Sequence, residues 1–405
     1  MNAKAIAEKA MDQGKGIVRL TPTWVPRVFC IPGRRIKLHP NDYYALGAVR
    51  GGIDERWFSS TTPADNGPLT SKNEGLSHIV VEDGGQTETV LLRDAVGELQ
   101  GQLIGKLWDQ CHCWPMYSKF FDNKGALPFH IHHDDAHAAR VGAKGKPEAY
   151  YFAPQVNNHG GDFPYTFFGF QPGVTREQVR EALVRFTEGE NYITDLSAAY
   201  VLRPGTGWNV PPGVLHAPGS LCTYEPQKAS DVFAMYESVV HDAVIPSELL
   251  WKDCPPEEKG NFDYLIDVID WEQNTDPMFA QKHFMAPIPV RPLEEMRAEG
   301  YEEHWICYLS DDFSAKQLTI LPNKTVTIHD GGAYGMYMVQ GNGQMGVWAI
   351  ETPTLIRYGQ MTRDEFFVSE AAAKEGVRIT NPSRTDPIVM LKHFGPGAHD
   401  NMPKR

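Results

Sequence analysis

The sequence predicts a mainly β protein that folds into two barrels or sandwiches, with a few helices covering the sheets. Short segments of alternating apolar and polar residues recur along the chain, which is typical of strands with one buried face. The 37 glycines and 30 prolines suit many strands joined by tight turns. Two strand-rich regions are separated by a stretch rich in Pro, Asp, Glu and aromatic residues, and this arrangement predicts two β domains with a connector between them.

The 405 residues divide into four predicted parts. Because a domain holds roughly 150 residues, a chain of this length is expected to form two or three domains. We predict an N-terminal arm over residues 1–45, a first barrel over 46–250, a connector over 251–292 and a second barrel over 293–405.

Individual elements follow from the periodicity. The N-terminal segment, Met1–Gly14, has the pattern of a short polar amphipathic helix. Alternation and nearby turn residues predict three of the strands: Ser77–Val81, Ala149–Phe152 and Ala199–Leu202.

Two further helices carry capping boxes, in which a Thr side chain and a Gln or Glu three residues later satisfy the first backbone groups. The first is predicted over Thr175–Phe186 and begins with Thr175-x-x-Gln178. The second is predicted over Thr362–Glu375, begins with Thr362-x-x-Glu365 and ends at Gly376. Both helices are expected to cover sheet faces.

The composition excludes several kinds of partner. The net charge of −13 argues against nucleic acid, because phosphate binding needs clustered Lys and Arg, and against an anionic membrane surface. No apolar run approaches the ~20 residues that span a bilayer. The N-terminal segment lacks the apolar core of a signal peptide. We therefore expect a cytoplasmic protein with neither nucleic-acid nor membrane partners.

Six cysteines are scattered along the chain without a secretion signal, which predicts reduced and buried thiols. Cys111-His112-Cys113 is similar to a fragment of a metal site. No second cysteine pair completes a tetrahedral set, so structural burial is the preferred interpretation of these two thiols.

Two histidines that lie two residues apart follow an apolar stretch. His130-Ile131-His132 comes directly after Leu127-Pro128-Phe129. On a strand, residues two apart face the same side, so both imidazoles point to one face, which in a barrel can be the interior. Glu148 directly precedes the strand Ala149–Phe152, and a hairpin that returns beside the first strand would bring its carboxylate to the two histidines.

His216 is the fourth candidate ligand and lies further along the chain. Three imidazoles and one carboxylate suit Zn, Mn, Fe, Ni or Co. Four protein ligands leave one or two positions of a five- or six-coordinate ion for water or substrate oxygens. The sequence therefore predicts one divalent transition-metal ion in the first barrel, bound by His130, His132, Glu148 and His216.

The segment before His216 resembles the second signature of the cupin superfamily. Gly205, Pro211, Gly213 and His216 have the spacing G-x5-P-x-G-x2-H, and Ser220 follows. His130-x-His132 with a later Glu148 resembles the first signature, with a widened gap between His and Glu.

The wide gap and Lys146-Pro147-Glu148 resemble the type I mannose-6-phosphate isomerase branch of that superfamily. Further fragments agree with this branch over about residues 50 to 240: Glu55-Arg56-Trp57, Asn66-Gly67-Pro68-Leu69, Leu103-Ile104-Gly105, Lys119-Phe120-Phe121-Asp122 and Ser230-Asp231. The resemblance implies two cupin-like, jelly-roll barrels and an aldose–ketose isomerase activity.

The resemblance also implies roles for single residues. The family's ligands Gln, His, Glu and His fall on the four candidate ligands, so His130 replaces the family's Gln. The family's active-site Lys and Glu fall on Lys146 and Glu225, which are the expected proton-transfer groups. Three further side chains are expected to contact the substrate: Glu55, Asp231 and His137.

Several departures from the family concern groups that suit a phosphate. An Arg of the family is Met235 here, a Lys is His241, a Ser is Pro128 and a Tyr is Pro218. Arg is the usual bidentate partner of a phosphate. We therefore expect a non-phosphorylated sugar or another polyhydroxylated compound as the substrate.

Two other functions are compatible with the same ligands. An Fe-dependent cupin dioxygenase would need an apolar pocket around the metal, whereas an isomerase needs polar groups there. A non-catalytic sugar-binding cupin would bind a sugar without converting it. The second barrel has His329-Asp330-Gly331-Gly332 and His393 but no His-x-His pair with a matching Glu. We expect it to be metal-free and structural, and a homodimer is compatible with the sequence.

Overall fold

Two β barrels pack back to back in the computed structural model, which describes residues 2–158 and 163–403. The strand content of 32% exceeds the helix content of 24%, which confirms the predicted mainly β class. No helix in these two ranges is long and apolar enough to cross a membrane.

The first part of the chain builds a helical cover and the first strands of both barrels. Its elements are α1 (Ala3–Gly14), β1 (Ile17–Arg19), β2 (Thr23–Arg27), β3 (Gly52–Phe58), β4 (His78–Asp83), β5 (Gln86–Leu91), α2 (Leu92–Leu99), α3 (Gly101–Ile104), α4 (Lys106–Cys111) and β6 (Met116–Phe121). The predicted N-terminal helix is confirmed. β1 pairs with a strand of the second barrel, whereas β2 pairs with β3 of the first.

The region that contains the candidate ligands follows. Its elements are β7 (His130–Ile131), α5 (Asp135–Ala139), β8 (Glu148–Tyr151), β9 (Tyr165–Phe170), α6 (Arg176–Val184), β10 (Ser197–Val201), β11 (Gly207–Val210), β12 (His216–Ala217), β13 (Thr223–Lys228) and β14 (Ala234–Met235). The helix α6 begins with the predicted capping box, because the Thr175 side chain accepts from the Gln178 amide and the Gln178 side chain accepts from the Thr175 amide.

The next stretch contains short helices rather than irregular chain. Its elements are β15 (Val239–Val240), β16 (Ala243–Val244), α7 (Phe262–Asp267), α8 (Trp271–Asn274), α9 (Phe279–His283), β17 (Phe284–Met285), β18 (Ile288–Pro289) and α10 (Leu293–Glu299). β17 adds to the first barrel and β18 to the second, so this segment is part of both sheets.

The second barrel is formed by the remaining elements. These are β19 (Tyr301–Cys307), β20 (Ser314–Ile320), β21 (Lys324–Ile328), β22 (Tyr334–Gln340), β23 (Asn342–Met345), β24 (Trp348–Glu351), β25 (Glu365–Val368), α11 (Glu370–Glu375), β26 (Val377–Asn381) and β27 (Ile388–Phe394).

Each barrel consists of a seven-stranded sheet and a smaller sheet. In the first barrel the large sheet has the order β17-β11-β8-β13-β6-β3-β2 and the small one β10-β9-β12-β7-β14. In the second barrel the orders are β1-β25-β22-β27-β20-β19-β18 and β21-β26-β23-β24. The outer faces of the two large sheets meet, where Phe58 of β3 stacks on Tyr337 of β22 at 4.3 Å between ring centroids.

Two sequence predictions about local structure are wrong. The chain over Thr362–Glu375 is not one helix: its first half is the strand β25, and the helix α11 begins only after Ser369, which caps it. Phe366 and Phe367 are both fully buried, and a strand in a two-sided sheet buries both of these successive side chains. Cys111 and Cys113 are only partly buried, because they lie at the exposed turn that ends α4.

Candidate metal centre

Three histidines meet on one face of the small sheet of the first barrel. His130 lies on β7 and pairs directly with His216 on β12, and His132 follows β7 immediately. All three side chains are buried. Their candidate ligand atoms lie within 4.8 Å of one another, which is the spacing of donors around a single ion.

Backbone carbonyls orient each imidazole. The Nδ1 atoms of His130 and His132 lie 2.7 Å from the carbonyl oxygens of Pro128 and Val232, and Nδ1 of His216 lies 2.8 Å from that of Val214. A carbonyl oxygen only accepts, so each Nδ1 carries the proton and each Nε2 presents a lone pair. This tautomer is the one that binds a metal through Nε2.

Glu148 reaches the histidines from the facing sheet and not through a hairpin. β8 pairs with β11 and β13 in the seven-stranded sheet, whereas β7 belongs to the small sheet, so the predicted hairpin is wrong. The two sheets close the barrel, and Glu148 Oε2 and Oε1 lie 2.9 Å from His132 Nε2 and 3.0 Å from His216 Nε2.

These contacts fit a bound cation. His216 Nε2 is buried without a hydrogen-bond donor and faces Glu148 Oε1 at 3.0 Å. Burial lowers the pKa of His132 to about 3, and the Lys146 ammonium acts in the same direction, so the His132 imidazole is neutral at pH 7. Burial likewise holds the pKa of His130 well below its usual range. Three imidazole nitrogens and one carboxylate that converge in this way form a suitable site for one divalent transition-metal ion.

Lys146 and Glu225 lie directly beside this site. Lys146 Nζ is 3.0 Å from His132 Nε2, 3.0 Å from Glu148 Oε2 and 3.6 Å from Glu225 Oε1. Burial raises the pKa of Glu225 to about 8, and the neighbouring Glu148 carboxylate adds to the shift. Although burial alone would raise the pKa of Glu148, the Lys146 ammonium and the two imidazoles hold it well below the usual value.

A second group of charges continues from Glu225 towards the surface. Lys119 Nζ lies 3.3 Å from Glu225 Oε1 and 3.5 Å from Glu55 Oε1. Arg27 then joins Glu55, at 3.2 Å, to Asp231, at 3.1 Å. Burial would raise the pKa of Asp231, but Arg27 and nearby lysines lower it to about 2. Glu55 and Asp231, which were expected to contact substrate, are thus connected to the metal centre.

A cavity of about 430 Å³ opens beside the outer end of this group. The backbone amide of Asp65 donates to Asp231 Oδ2 at 3.1 Å, and Arg27 Nη1 donates to Asn66 Oδ1 at 3.1 Å. Asp65 and Asn66 both line the cavity, together with Arg50 and Lys252. The cavity wall is therefore continuous with the buried charges.

Sequence reasoning missed three residues of this region: Lys119, Arg27 and Tyr150. The Tyr150 hydroxyl donates to Glu148 Oε1 at 2.5 Å. One signal could have identified Lys119, because a lysine among aromatic residues on an otherwise apolar strand is expected to be buried with a partner. Nothing in the sequence around Arg27 distinguishes it from a surface arginine.

The structure does not bring His137 to the centre. It lies on α5, partly exposed, with its Nδ1 2.8 Å from Asp134 Oδ1 and its ring near Tyr264. The residues that replace the family's phosphate donors have structural contacts: Met235 pairs with His130 on the neighbouring strand, and His241 Nε2 lies 3.0 Å from the Ala126 carbonyl oxygen.

The sequence matches no protein-family model and no curated protein. Solved structures match it along nearly its whole length. Mannose 6-phosphate isomerase from Bacillus subtilis is 14% identical and superposes with a TM-score of 0.61 over 94% of this chain and 99% of that one. A variant of phosphomannose isomerase from Salmonella typhimurium is 11% identical, with a TM-score of 0.61 over 94% and 100%.

The chain has the cupin fold of mannose 6-phosphate isomerases. A zinc-bound mannose 6-phosphate isomerase is also among these neighbours, at 11% identity and a TM-score of 0.61 over 94% of this chain and 100% of that one. At such identities the likeness establishes the fold, and the two-barrel architecture expected from the cupin resemblance is confirmed.

Proposed function

We propose that this protein is a metal-dependent aldose–ketose isomerase that acts on a non-phosphorylated sugar. The observation that carries the proposal is the contact of a three-His, one-Glu metal centre with the Lys146–Glu225 pair inside one barrel. The solved structures with the same fold are named as isomerases of a sugar phosphate, which supports an isomerase chemistry.

One divalent ion, Zn, Mn, Fe, Ni or Co, would be held by His130, His132, Glu148 and His216 and would act as a Lewis acid on the substrate's carbonyl and hydroxyl oxygens. Zinc is favoured because a neighbouring isomerase structure contains it.

The protein's own groups would move the proton. An aldose and its ketose interconvert when a base removes a proton beside the carbonyl and returns it to the adjacent carbon through an enediolate. Lys146 and Glu225 are buried, lie beside the metal ligands and contact each other at 3.6 Å. The group that accepts the proton acts in its deprotonated form, as a neutral Lys146 amine or a Glu225 carboxylate, and the other group, in its protonated form, stabilises the charge that develops on the substrate. Lys146 is our preferred base and Glu225 the alternative.

The charges around the cavity favour a neutral substrate. Arg27 is neutralised by Glu55 and Asp231, and Arg50 is neutralised by Glu74 with contacts of 2.6 and 2.7 Å. Lys252 is paired with two further carboxylates, at 2.8 and 2.9 Å. A phosphate would need at least one cation that is not already engaged in this way. Hydroxyl groups, in contrast, pair well with such a mixed set of donors and acceptors.

Transfer of a carbon-bound proton is the direct test. The metal-loaded protein is incubated in deuterated water with a panel of neutral aldoses and ketoses and with mannose 6-phosphate, once under anaerobic conditions and once in air, and the products are followed by NMR. We expect one neutral sugar to be converted with deuterium incorporated beside the carbonyl. Conversion that needs oxygen would support the Fe-dependent dioxygenase, and binding without conversion would support a sugar-binding cupin.

Replacement of Lys146 tests the assignment of the base. We expect Lys146→Met to lower kcat by about 10²–10⁴-fold, the range of a general acid–base group, while one metal per chain is retained. Lys144→Met is the matched control, because Lys144 lies two residues earlier and is exposed. Equal activity of the two variants would contradict the role of Lys146.

The cytoplasmic location and a homodimeric state stay predictions.

A further inference from the structure

The two barrels repeat one another strand by strand. The two large sheets have the same order of hydrogen-bonded strands. In this order, the strands of the first barrel correspond to those of the second as follows: β3, β6, β13, β8 and β11 to β19, β20, β27, β22 and β25. The smaller sheets follow the same order along the chain. Positions in the two interiors can therefore be compared through the register of their strands.

The comparison places a Trp and a Lys in the same row of both barrels, and Lys392 stands where the first barrel has Glu225. In the first barrel, Trp57 pairs with Lys119, and Lys119 pairs with Glu225. In the second barrel, Trp305 pairs with Lys316, and Lys316 pairs with Lys392. A glutamate precedes each Trp by two residues: Glu55 in the first barrel and Glu303 in the second. The second barrel thus keeps the charged row that lines the proposed active site of the first.

This row forms a buried charge cluster in the second barrel. Lys316 Nζ and Lys392 Nζ donate to the two oxygens of Asp330 at 2.8 and 2.7 Å, and Lys392 also lies 2.5 Å from Glu303 Oε1. All four side chains are at least nine-tenths buried. Two cations and two anions leave the cluster neutral.

The C-terminal segment, residues 395–400, supplies a fifth group to this cluster. His399 Nε2 lies 2.9 Å from Lys316 Nζ, 3.2 Å from Asp330 Oδ1 and 3.4 Å from the Gly331 amide nitrogen. Its ring stands edge-to-face on Trp305 and Phe394, with centroids 5.2 and 4.6 Å away. Its other ring nitrogen, Nδ1, is buried without a hydrogen-bond partner.

His399 therefore lies among aromatic and polar groups, as a bound ligand would, but one of its two ring nitrogens has no hydrogen-bond partner. A buried polar atom without a partner, whether donor or acceptor, costs about 1–3 kcal/mol. The segment that carries His399 begins with Gly395-Pro396-Gly397, and Gly397 has a positive φ of 64° with nothing near its absent side chain. Gly397, which is exposed, is the position at which the backbone of this segment has the freedom to turn out of the barrel.

We propose that the second barrel is a second binding site, for a neutral polyhydroxylated compound, and that His399 closes it. When His399 leaves, Lys316 and the Gly331 amide become donors, Asp330 remains an acceptor, and Trp305 and Phe394 present apolar walls. The neutral cluster gives no net attraction for an anion. Hydroxyl groups between such donors and acceptors, with C–H groups on the rings, complete the contacts that His399 makes only in part.

Equilibrium dialysis of the full chain with radiolabelled D-mannitol tests this proposal. We expect His399→Ala to bind one more mannitol per chain than the unaltered protein at the same concentration, because the closing group is gone. His329→Ala is the matched control, since His329 is exposed and only one residue from Asp330. It should bind as the unaltered protein does. Asp330→Asn added to His399→Ala should remove the extra molecule.

Hydrogen exchange on the unaltered chain decides the question if His399→Ala does not fold. Mannitol should accelerate exchange of the backbone amides in residues 395–400 and slow exchange of the Gly331 amide. No extra mannitol in folded His399→Ala, or no change in exchange where that variant does not fold, would overturn the proposal. Extra binding of inorganic phosphate instead of mannitol would overturn the ligand class. The number of mannitol molecules bound per chain is compared with that of the unaltered protein, so the result does not depend on isomerase activity.

Discussion

At the scale of single residues, the metal centre depends on backbone carbonyls as much as on its ligands. Pro128, Val214 and Val232 fix the three imidazoles by accepting from Nδ1. Pro128 and Val214 each lie two residues before the histidine that they orient. This spacing makes the ligand orientation a local property of two short strands, and such partners commonly alter metal affinity 10–100-fold.

Loss of one ligand should empty the centre. His216 is fully buried, and its Nε2 lies 3.0 Å from Glu148 Oε1, so its replacement by alanine removes one of the four candidate ligand atoms. We expect His216→Ala to weaken metal binding by more than about 100-fold, beyond the effect of a supporting residue. Elemental analysis after dialysis against a chelator measures this. His137→Ala should keep its metal, and full metal content in His216→Ala would refute the assignment.

A buried carboxyl on the rim of the barrel predicts how stability depends on pH. Burial raises the pKa of Glu237 to about 7, although the Phe129 amide donates to it at 2.7 Å. The folded pKa lies above the ordinary value, so the folded protein holds a proton that the unfolded chain releases. Stability from this group is present below about pH 4.5 and is lost as the pH rises to 7.

Glu237→Gln should therefore be more stable than the unaltered protein at pH 8, by up to roughly 3 kcal/mol, and the difference should vanish near pH 4.5. Urea unfolding at both pH values measures the difference. Glu181→Gln, on the exposed face of α6, should show no such pH dependence. A difference that is equal at the two pH values would argue against this role of Glu237.

The sequence could predict that His130 and His132 face the same side, because this depends on strand periodicity alone. It could not predict the ion pairs that run from Lys119 through Glu55 and Arg27 to Asp231. Arg27 and Asp231 are 204 positions apart in the sequence, and Lys119 and Glu55 lie on different strands. Which charges meet inside a barrel depends on strand order, and strand order is not encoded locally.

At the scale of elements, the two predicted capping boxes show where a local sequence signal determines the structure and where tertiary packing overrides it. Thr175 caps α6 as predicted. Thr362 instead donates to Asp364, and the chain continues as β25 between β1 and β22. Burial of the phenylalanines in β25 outweighs the helix signal, because a capping box contributes only about 1 kcal/mol.

Ser369 is accordingly the residue that starts α11. Its side chain accepts from the Ala372 amide at 3.3 Å. We expect Ser369→Ala to lower the free energy of unfolding by about 1 kcal/mol, as for other N-caps. Thermal unfolding followed by circular dichroism measures this. Thr175→Ala should have a similar effect on α6, and an unchanged stability of Ser369→Ala would show that the cap is dispensable.

The position of Glu148 illustrates the same limit. A hairpin was the simplest local way to bring its strand to the two histidines, and strand periodicity alone cannot distinguish this from closure of a barrel. In the barrel, β7 and β8 lie in facing sheets, so Glu148 approaches across the interior. The ligand was predicted from the family resemblance, whereas its route depends on tertiary topology.

At the scale of the whole molecule, an ion pair joins the two barrels. Arg56 of β3 binds Asp364 with two contacts of 2.8 Å and Glu365 with one of 3.3 Å. All three side chains are fully buried. The Arg56 guanidinium also lies 4.8 Å from the centre of the Tyr337 ring. Arg56, on the outer face of the first barrel, is therefore paired with the carboxylates at the start of β25 in the second barrel.

Removal of Arg56 should cost far more than removal of a surface arginine. Arg56→Met leaves the Asp364 carboxylate buried and unpaired, and breaking a buried pair in this way costs about 3–5 kcal/mol. Arg297→Met, which breaks an exposed pair with Glu302, should cost less than about 1 kcal/mol. Calorimetry should show a strongly lowered midpoint for Arg56→Met and a nearly unchanged one for Arg297→Met. Adding Asp364→Leu and Glu365→Gln should restore much of the loss, because no unpaired charge then remains between the barrels. If the triple variant is as unstable as Arg56→Met, packing of the arginine rather than its charge joins the two barrels.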